Sequence, residues 1–339
     1  MRAKGITYDT GFIREGVSSR ERFDPEVVER ELRVIRDDLH CDTVRVTGGD
    51  PDRLELAAGF AAGLGLEVWF SPYPLELTTD EMLSLFADCA ERAERLRRRG
   101  CEVVFVTGAE ISLMNKGFLP GDSLDERVGQ LTVPDRMREL IGEVGTRVND
   151  FLGSAAAIVR ERFGGRITYA SIPLERVDWT LFDIVSLDLY RTVEMADRFT
   201  AGVRDLVARG KPVAITEFGS AGFRGAGDMG ARGLEIVEYD KTGPVRLKGE
   251  YERDEVGQAR YLRELLEVFE AEGVDSAFVF IFALYDHVHR PDGDPRDDLD
   301  LASYGIVKVL EDRYGDTYPD LRWEPKAAFT TLAEFYREH

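Results

Sequence analysis

Short runs of β-branched and apolar residues recur along this chain, and most are followed by a stretch in which apolar residues return every three or four positions. Eight such runs stand out: GITY (5–8), TVRVTG (43–48), LEVWFS (66–71), EVVFVTG (102–108), RITYAS (166–171), DIVSLDLY (183–190), PVAITEF (212–218) and SAFVFIFA (276–283). A strand-length run followed by a helical period is the mark of a βα unit, and repetition of that unit predicts a parallel sheet wrapped in helices.

The punctuation agrees with the pattern. Helical periodicity is clear over 25–39, over 80–99 closed by Gly100, and over 254–272 closed by Gly273. The final WEPKAAFTTLAEFY (323–336) reads as the eighth helix, with Pro325 in its first turn. The expected fold class is therefore α/β: a single (β/α)8 TIM barrel over residues 1–339, with loops inserted after strands 4 and 7 and a β-hairpin at 233–251. In such barrels the loops leaving the C-terminal strand ends build the active site, so polar residues at those ends are the candidates for chemistry. GAGDMG (225–230) matches the glycine pattern of dinucleotide-binding folds, but it lies well past strand 7 and leads into the hairpin. It lacks the helix N-terminus that holds a pyrophosphate and reads as a glycine-rich rim loop.

Composition narrows the partners. Hydrophobic residues make up 43% of the 339, enough for a large core, and none of the apolar runs is long enough to cross a bilayer. Against 44 basic residues stand 64 acidic ones, a formal charge of −20. That field repels phosphate backbones and anionic lipid, which argues against nucleic acid and membrane as partners. The start, MRAKGITYDTGF, enters a strand without the apolar core of a secretory signal, which reads as cytoplasmic. Cys41, Cys89 and Cys101 form no Cys-x-x-Cys pair and read as reduced, buried small hydrophobes.

Glu110 follows strand 4 directly and Glu217 lies at the end of strand 7. Cleaving a glycosidic bond needs one carboxyl group to protonate the leaving oxygen and a second to attack or stabilise the anomeric carbon. A single strand-end glutamate is as readily a solvated charge. Two at matching barrel positions make the pair the candidate machinery.

AITEFGSAG (214–222), FVTGAEIS (105–112), TVRVTGGD (43–50) and DIVSLDLY (183–190) together resemble the clan A glycoside hydrolases. Within that clan the chain is most similar to the β-mannanase-like branch, through GRITYASIPLERVDWTLFDIVSLDLY (165–190) and the closing YGIVK and WEPKAAF segments. The resemblance implies a (β/α)8 barrel with Glu110 as acid/base, Glu217 as nucleophile, Arg45 as the cation beside the nucleophile and Tyr190 as its hydrogen-bond partner. It also exposes a departure: most of the clan has Asn before the acid/base residue, where it contacts the sugar 2-hydroxyl, and this chain has Ala109.

Strand 8 of the clan commonly offers a Trp platform, whereas FIFALYDH here leaves Phe282, Tyr285 and His287 as candidates for substrate contact. Tyr8, Phe12, Tyr73 and Phe218, at or just past strand ends, are further stacking candidates, although core packing is the commoner fate of such rings. His287 and His289 beside Asp286 and the acidic stretch 292–300 have a spacing that ligates metal on some loops, but a solvated charge run is the more frequent outcome of such a pattern, and no metal or cofactor is assigned. The first reading is thus a retaining enzyme acting on a β-linked glycoside, with a small-molecule or oligosaccharide substrate. The second is a lyase, isomerase or cyclase using the same two glutamates, motivated by Ala109. The third is a non-catalytic sugar-binding barrel. No residue pattern specifies the sugar or the oligomeric state.

Overall fold

In the computed structural model the backbone is described for residues 1–131 and 134–339, with the side chains of all of these except 125, 131, 134–139 and 141. Eight parallel strands form a nearly closed barrel: β1 (Ala3–Asp9), β2 (Thr43–Gly48), β3 (Glu67–Pro72), β4 (Val103–Ala109), β5 (Arg166–Ala170), β6 (Val185–Asp188), β7 (Val213–Phe218) and β8 (Ser276–Val279). Their order in the sheet is β5-β4-β3-β2-β1-β8-β7-β6, so each strand lies beside its neighbours in sequence. A parallel bridge between Ser171 and Leu187 joins β5 to β6 and completes the ring.

The main helices are α1 (Pro25–Asp37), α2 (Pro51–Gly63), α3 (Thr79–Arg98), α4 (Pro134–Arg162), α5 (Ala196–Val207), α6 (Glu255–Glu272) and α7 (Ala327–Glu338). Local chemistry sets their ends. Asp24 accepts the Glu26 N–H to start α1, and Thr78 and Glu81 form a reciprocal capping box on α3. Gly273, in the left-handed region, ends α6. Between β5 and β6 two short 3-10 turns, Pro173–Glu175 and Trp179–Leu181, replace the usual helix.

Two elements differ from expectation. Strand 8 ends at Val279 rather than 283, because its ladder with β7 slips between Ala277 and Val279. Beyond it the Phe280 and Phe282 N–H groups still donate to the carbonyls of Phe218 on β7 and Thr7 on β1, but the Ile281 N–H turns to the Tyr304 carbonyl. The last helix begins at Ala327 rather than 323. Trp323–Pro325 is instead an edge strand antiparallel to Val307–Leu310. Proline disfavours helical backbone in the residue before it, which keeps Glu324 extended, and its missing N–H is tolerated at an edge.

By contact density the chain forms two compact units. One comprises 1–9, 19–44 and 189–339, and the other 10–18 and 45–188. In the first, the insertion after β7 makes a 3-10 turn (Gly230–Ile236) and an antiparallel hairpin (Val237–Asp240 with Gly243–Leu247). Ile236, Val237 and Leu247 bury their side chains in a cluster with Phe223, Leu299, Leu301 and Tyr304, so the hairpin has a core of its own. In the second, the insertion after β4 is pinned by the buried Arg127. Its guanidinium donates to Glu76 at 2.9 Å and to the Leu113 carbonyl at 2.5 Å. Among the described residues no helix is long and apolar enough to cross a membrane.

The second unit also ties α3 to the entry of β5. Glu94 accepts from Arg97 and Arg98, each at 2.8 Å, and from the Gly164 N–H at 3.0 Å. Chiefly the Arg97 contact holds its carboxyl down to about 2. A carboxyl lowered on folding stabilises the native state above its unfolded value, and that contribution fades as the pH falls toward the folded one. Glu94→Gln should therefore lower stability near pH 7 by about 1 kcal/mol, a figure discounted for solvent screening. In urea titrations the gap from the parent should close as the pH drops from 4.5 toward about 2; a gap that is constant with pH would contradict this.

Candidate active site

Glu110 follows the last residue of β4 and lies in the left-handed region, at φ 43° and ψ 38°. A non-glycine residue there is held against its own steric preference, at a cost of order 1 kcal/mol, and such outliers gather at functional sites. The backbone around it is closely packed. Gly108, at φ 81°, could not carry a Cβ, which would lie 2.9 Å from the Phe86 ring. The Glu110 N–H donates to the Ala170 carbonyl at 2.9 Å, and the backbone then closes into a single helical turn, Ile111–Met114.

Elsewhere in the same unit Arg45 on β2 is fully buried, its Nε donating to the Ser71 hydroxyl on β3 at 3.1 Å. Tyr73, just past β3, packs edge-on to Phe12, with ring centroids 5.0 Å apart. Asp188, the last residue of β6, buries its carboxylate at the same end of a strand as Glu110. The sequence reading passed over it inside DIVSLDLY. A period-two reading finds it, since Asp188 and Tyr190 fall on one side of an extended chain.

In the other unit Glu217 lies one residue before the end of β7 and is buried. Tyr190 donates its hydroxyl to Glu217 Oε2 at 3.2 Å, and the Leu189 N–H donates to the Glu217 carbonyl at 2.8 Å. The chain leaving β6 thus holds both the backbone and the side chain of this glutamate. Gly219 is required two residues later, because a Cβ there would come within 2.4 Å of the Phe280 carbonyl oxygen. Phe218 turns the other way and packs edge-on to Phe269 of α6, at 5.0 Å.

Tyr8, Phe282 and Tyr285 gather in a largely buried polar knot on the α1 side of β1. Glu31 of α1 accepts from Tyr8 at 2.5 Å, Tyr285 at 2.8 Å, Arg20 at 2.9 Å and the Trp323 indole at 3.0 Å. Phe282 is fully buried and lies edge-on to Trp323 at 5.3 Å, and Arg20 stacks on Tyr285 at 3.9 Å. Burial pushes the hydroxyls of Tyr8 and Tyr285 well above their usual range. Of these rings, expected at the substrate, Tyr8 and Phe282 are fully buried, and the half-buried Tyr285 bonds Glu31. The alternation of β1 turns Tyr8 toward the helices, and the early end of β8 carries Phe282 and Tyr285 to the same place. Neither Arg20 nor Glu31 was singled out in the sequence, where each reads as one more surface charge.

The two histidines are held by different carboxylates. His287, nearly buried, bonds Asp286 through Nδ1 at 2.7 Å, and His289 bonds Asp298 at 2.9 Å. GAGDMG opens into a four-residue turn, Ala226–Met229, beside a cavity of about 460 Å³ that Arg191, Gln258 and Tyr261 also line.

No family model and no curated protein matches the chain. Among solved structures it is similar to a GH113 beta-1,4-mannanase, 18% identical over the whole of both chains, with a TM-score of 0.60. It is also similar to GH5_18 from Bifidobacterium longum subsp. longum, 11% identical, at 100% of this chain and 80% of that one, with a TM-score of 0.60. The endo-beta-1,4-mannanase from Thermotoga petrophila is 10% identical, at 99% and 76%, with a TM-score of 0.53. The chain has the barrel fold of these glycoside hydrolases. At such identities the likeness carries the fold and leaves the chemistry to the residues.

The knot around Glu31 makes a direct prediction. Glu31→Gln leaves the buried Arg20 guanidinium uncompensated and should cost about 3–5 kcal/mol of unfolding free energy. Tyr285→Phe should cost only about 1 kcal/mol. Urea unfolding followed by tryptophan fluorescence measures both, and a Tyr285→Phe protein as stable as its parent would argue that the hydroxyl is not committed to Glu31.

Proposed function

We propose that this protein is a retaining glycoside hydrolase acting on a β-linked glycoside, with Glu217 as nucleophile and Glu110 as acid/base. The observation that carries the reading is the hydrogen bond from Tyr190 to Glu217 at the end of β7. A phenol donating to a carboxylate keeps one oxygen oriented, as a nucleophile requires. The strained backbone of Glu110 at the end of β4 is its companion.

In the first step a Glu217 carboxylate oxygen attacks the anomeric carbon while the bond to the leaving oxygen breaks, and that oxygen takes the Glu110 proton. The result is a glycosyl ester on Glu217 and an ionised Glu110. Water then attacks the same carbon, gives its proton to Glu110 and frees Glu217, so the enzyme returns unchanged with net retention. This chemistry requires the two carboxyl groups to act about 5–5.5 Å apart on one substrate. The buried Arg45 would supply the positive charge that the resemblance places beside the nucleophile.

A second reading rests on Ala109, which is fully buried and offers only a methyl group where the clan has Asn. On that reading the same glutamates serve as acid and base in a non-hydrolytic lyase, isomerase or cyclase.

Kinetics on a panel of aryl β-glycosides separate the two. Glu217→Gln should lose at least 10³-fold in kcat, and Glu110→Ala about 10²- to 10⁴-fold on substrates with poor leaving groups. A mechanism-based glycosyl inhibitor should label Glu217. A Glu217→Gln enzyme as fast as its parent would end the hydrolase reading, and an ordered parent inert toward every glycoside would favour the second.

A further inference from the structure

Three consecutive amides, those of Glu110, Ile111 and Ser112, are all held by the segment from β5 to the first 3-10 turn. The Glu110 N–H donates to the Ala170 carbonyl at 2.9 Å. The Ile111 N–H donates to the Tyr169 hydroxyl at 2.8 Å, and the Ser112 N–H to Glu175 Oε1 at 3.0 Å. The last two acceptors are themselves linked, since Tyr169 donates its hydroxyl to Glu175 Oε2 at 2.7 Å, where Ser171 also donates at 3.1 Å. Tyr169, Glu175, Ile111 and Ser112 are all fully buried.

Amides at the start of a helical turn have no partner within it, and a one-turn helix cannot fix its own direction. Here the partners are a phenol and a carboxylate that themselves hydrogen-bond each other. Burying a glutamate at this site is costly, and burial pushes its carboxyl above the ordinary range. What the pair adds is rigidity directly after Glu110, a residue whose left-handed backbone relaxes if the following amides are released.

We propose that Tyr169 and Glu175 are positioning residues that clamp the backbone after Glu110 and so set the direction of its carboxyl group during proton transfer to the leaving oxygen. This rests on the acid/base assignment made above for Glu110. A misplacement of about 1 Å in a reacting group costs on the order of 10²-fold in rate. The loss falls on the step that needs the acid.

Two variants test it, Tyr169→Phe and Glu175→Gln. The first removes the acceptor of the Ile111 amide. The second sets an amide NH₂ against donors that met a carboxylate. Each is assayed on a pair of aryl glycosides, one with a 2,4-dinitrophenyl leaving group and one with a poor leaving group. Hydrogen exchange is followed at the amides of Ile111 and Ser112. The expected result is a fall in kcat of roughly 10- to 100-fold on the poor leaving group, a clearly smaller one on the activated substrate, little change in KM, and faster exchange confined to residues 110–114. An equal loss on both substrates, or none, would overturn the positioning role, because a merely structural defect does not discriminate between leaving groups. If the parent itself turns over no glycoside of the panel, the hydrolase reading fails while exchange still judges the clamp. Faster exchange in both variants then sustains it, and unchanged exchange overturns it.

Discussion

Everything else in this fold depends on a closed ring of parallel strands. A parallel sheet with two open edges would leave rows of backbone donors and acceptors unpaired, and the seam between β5 and β6 is where this chain removes them. The seam uses more than backbone. Besides the Ser171 and Leu187 bridge, the Thr168 hydroxyl donates to the Ile184 carbonyl at 2.9 Å and lies 2.6 Å from the Ser186 hydroxyl. The Asp183 carboxylate accepts the Ile167 N–H at 2.7 Å. Strands this short need side chains to complete their pairing.

The same seam governs the candidate chemistry. The β5 segment that closes the ring on one side holds the three amides that begin at Glu110 on the other, so the direction of that glutamate follows from how the barrel closes. The absence of an α-helix between β5 and β6 fits this role. The turn at Pro173–Glu175 places Glu175 where its carboxylate accepts the Ser112 N–H after β4.

Among the described residues two ion pairs are buried on both sides, Arg20 with Glu31 at 2.9 Å and Lys326 with Asp300 at 2.8 Å. Removing one member strands the rest, so these sets specify an arrangement more than they add stability. The knot around Glu31 joins β1, α1, the segment after β8 and Trp323, fastening residues distant in the chain to one helix. Tyr8 and Tyr285 carry the same groups that would stack on a sugar and hydrogen-bond its hydroxyls, and nothing local distinguishes the two fates.

By itself the sequence determined the strands and their order, because strand formation and the βα repeat are written in short-range periodicity and in residues such as Gly100 and Gly273 that stop helices. It also placed Glu110 and Glu217 at strand ends, since position along a strand is a local property. Which way a side chain turns, and what meets it there, is decided across the fold. The commitment of Tyr8, Phe282 and Tyr285 to the Glu31 knot, the slip that ends β8 at Val279, the pairing of Trp323–Pro325 as an edge strand, the burial of Asp188 and the hold of Tyr169 and Glu175 on the backbone after Glu110 all arise from contacts between distant segments. Burial and hydrogen-bond satisfaction are settled only once those segments pack together, and so they leave little trace in local sequence pattern.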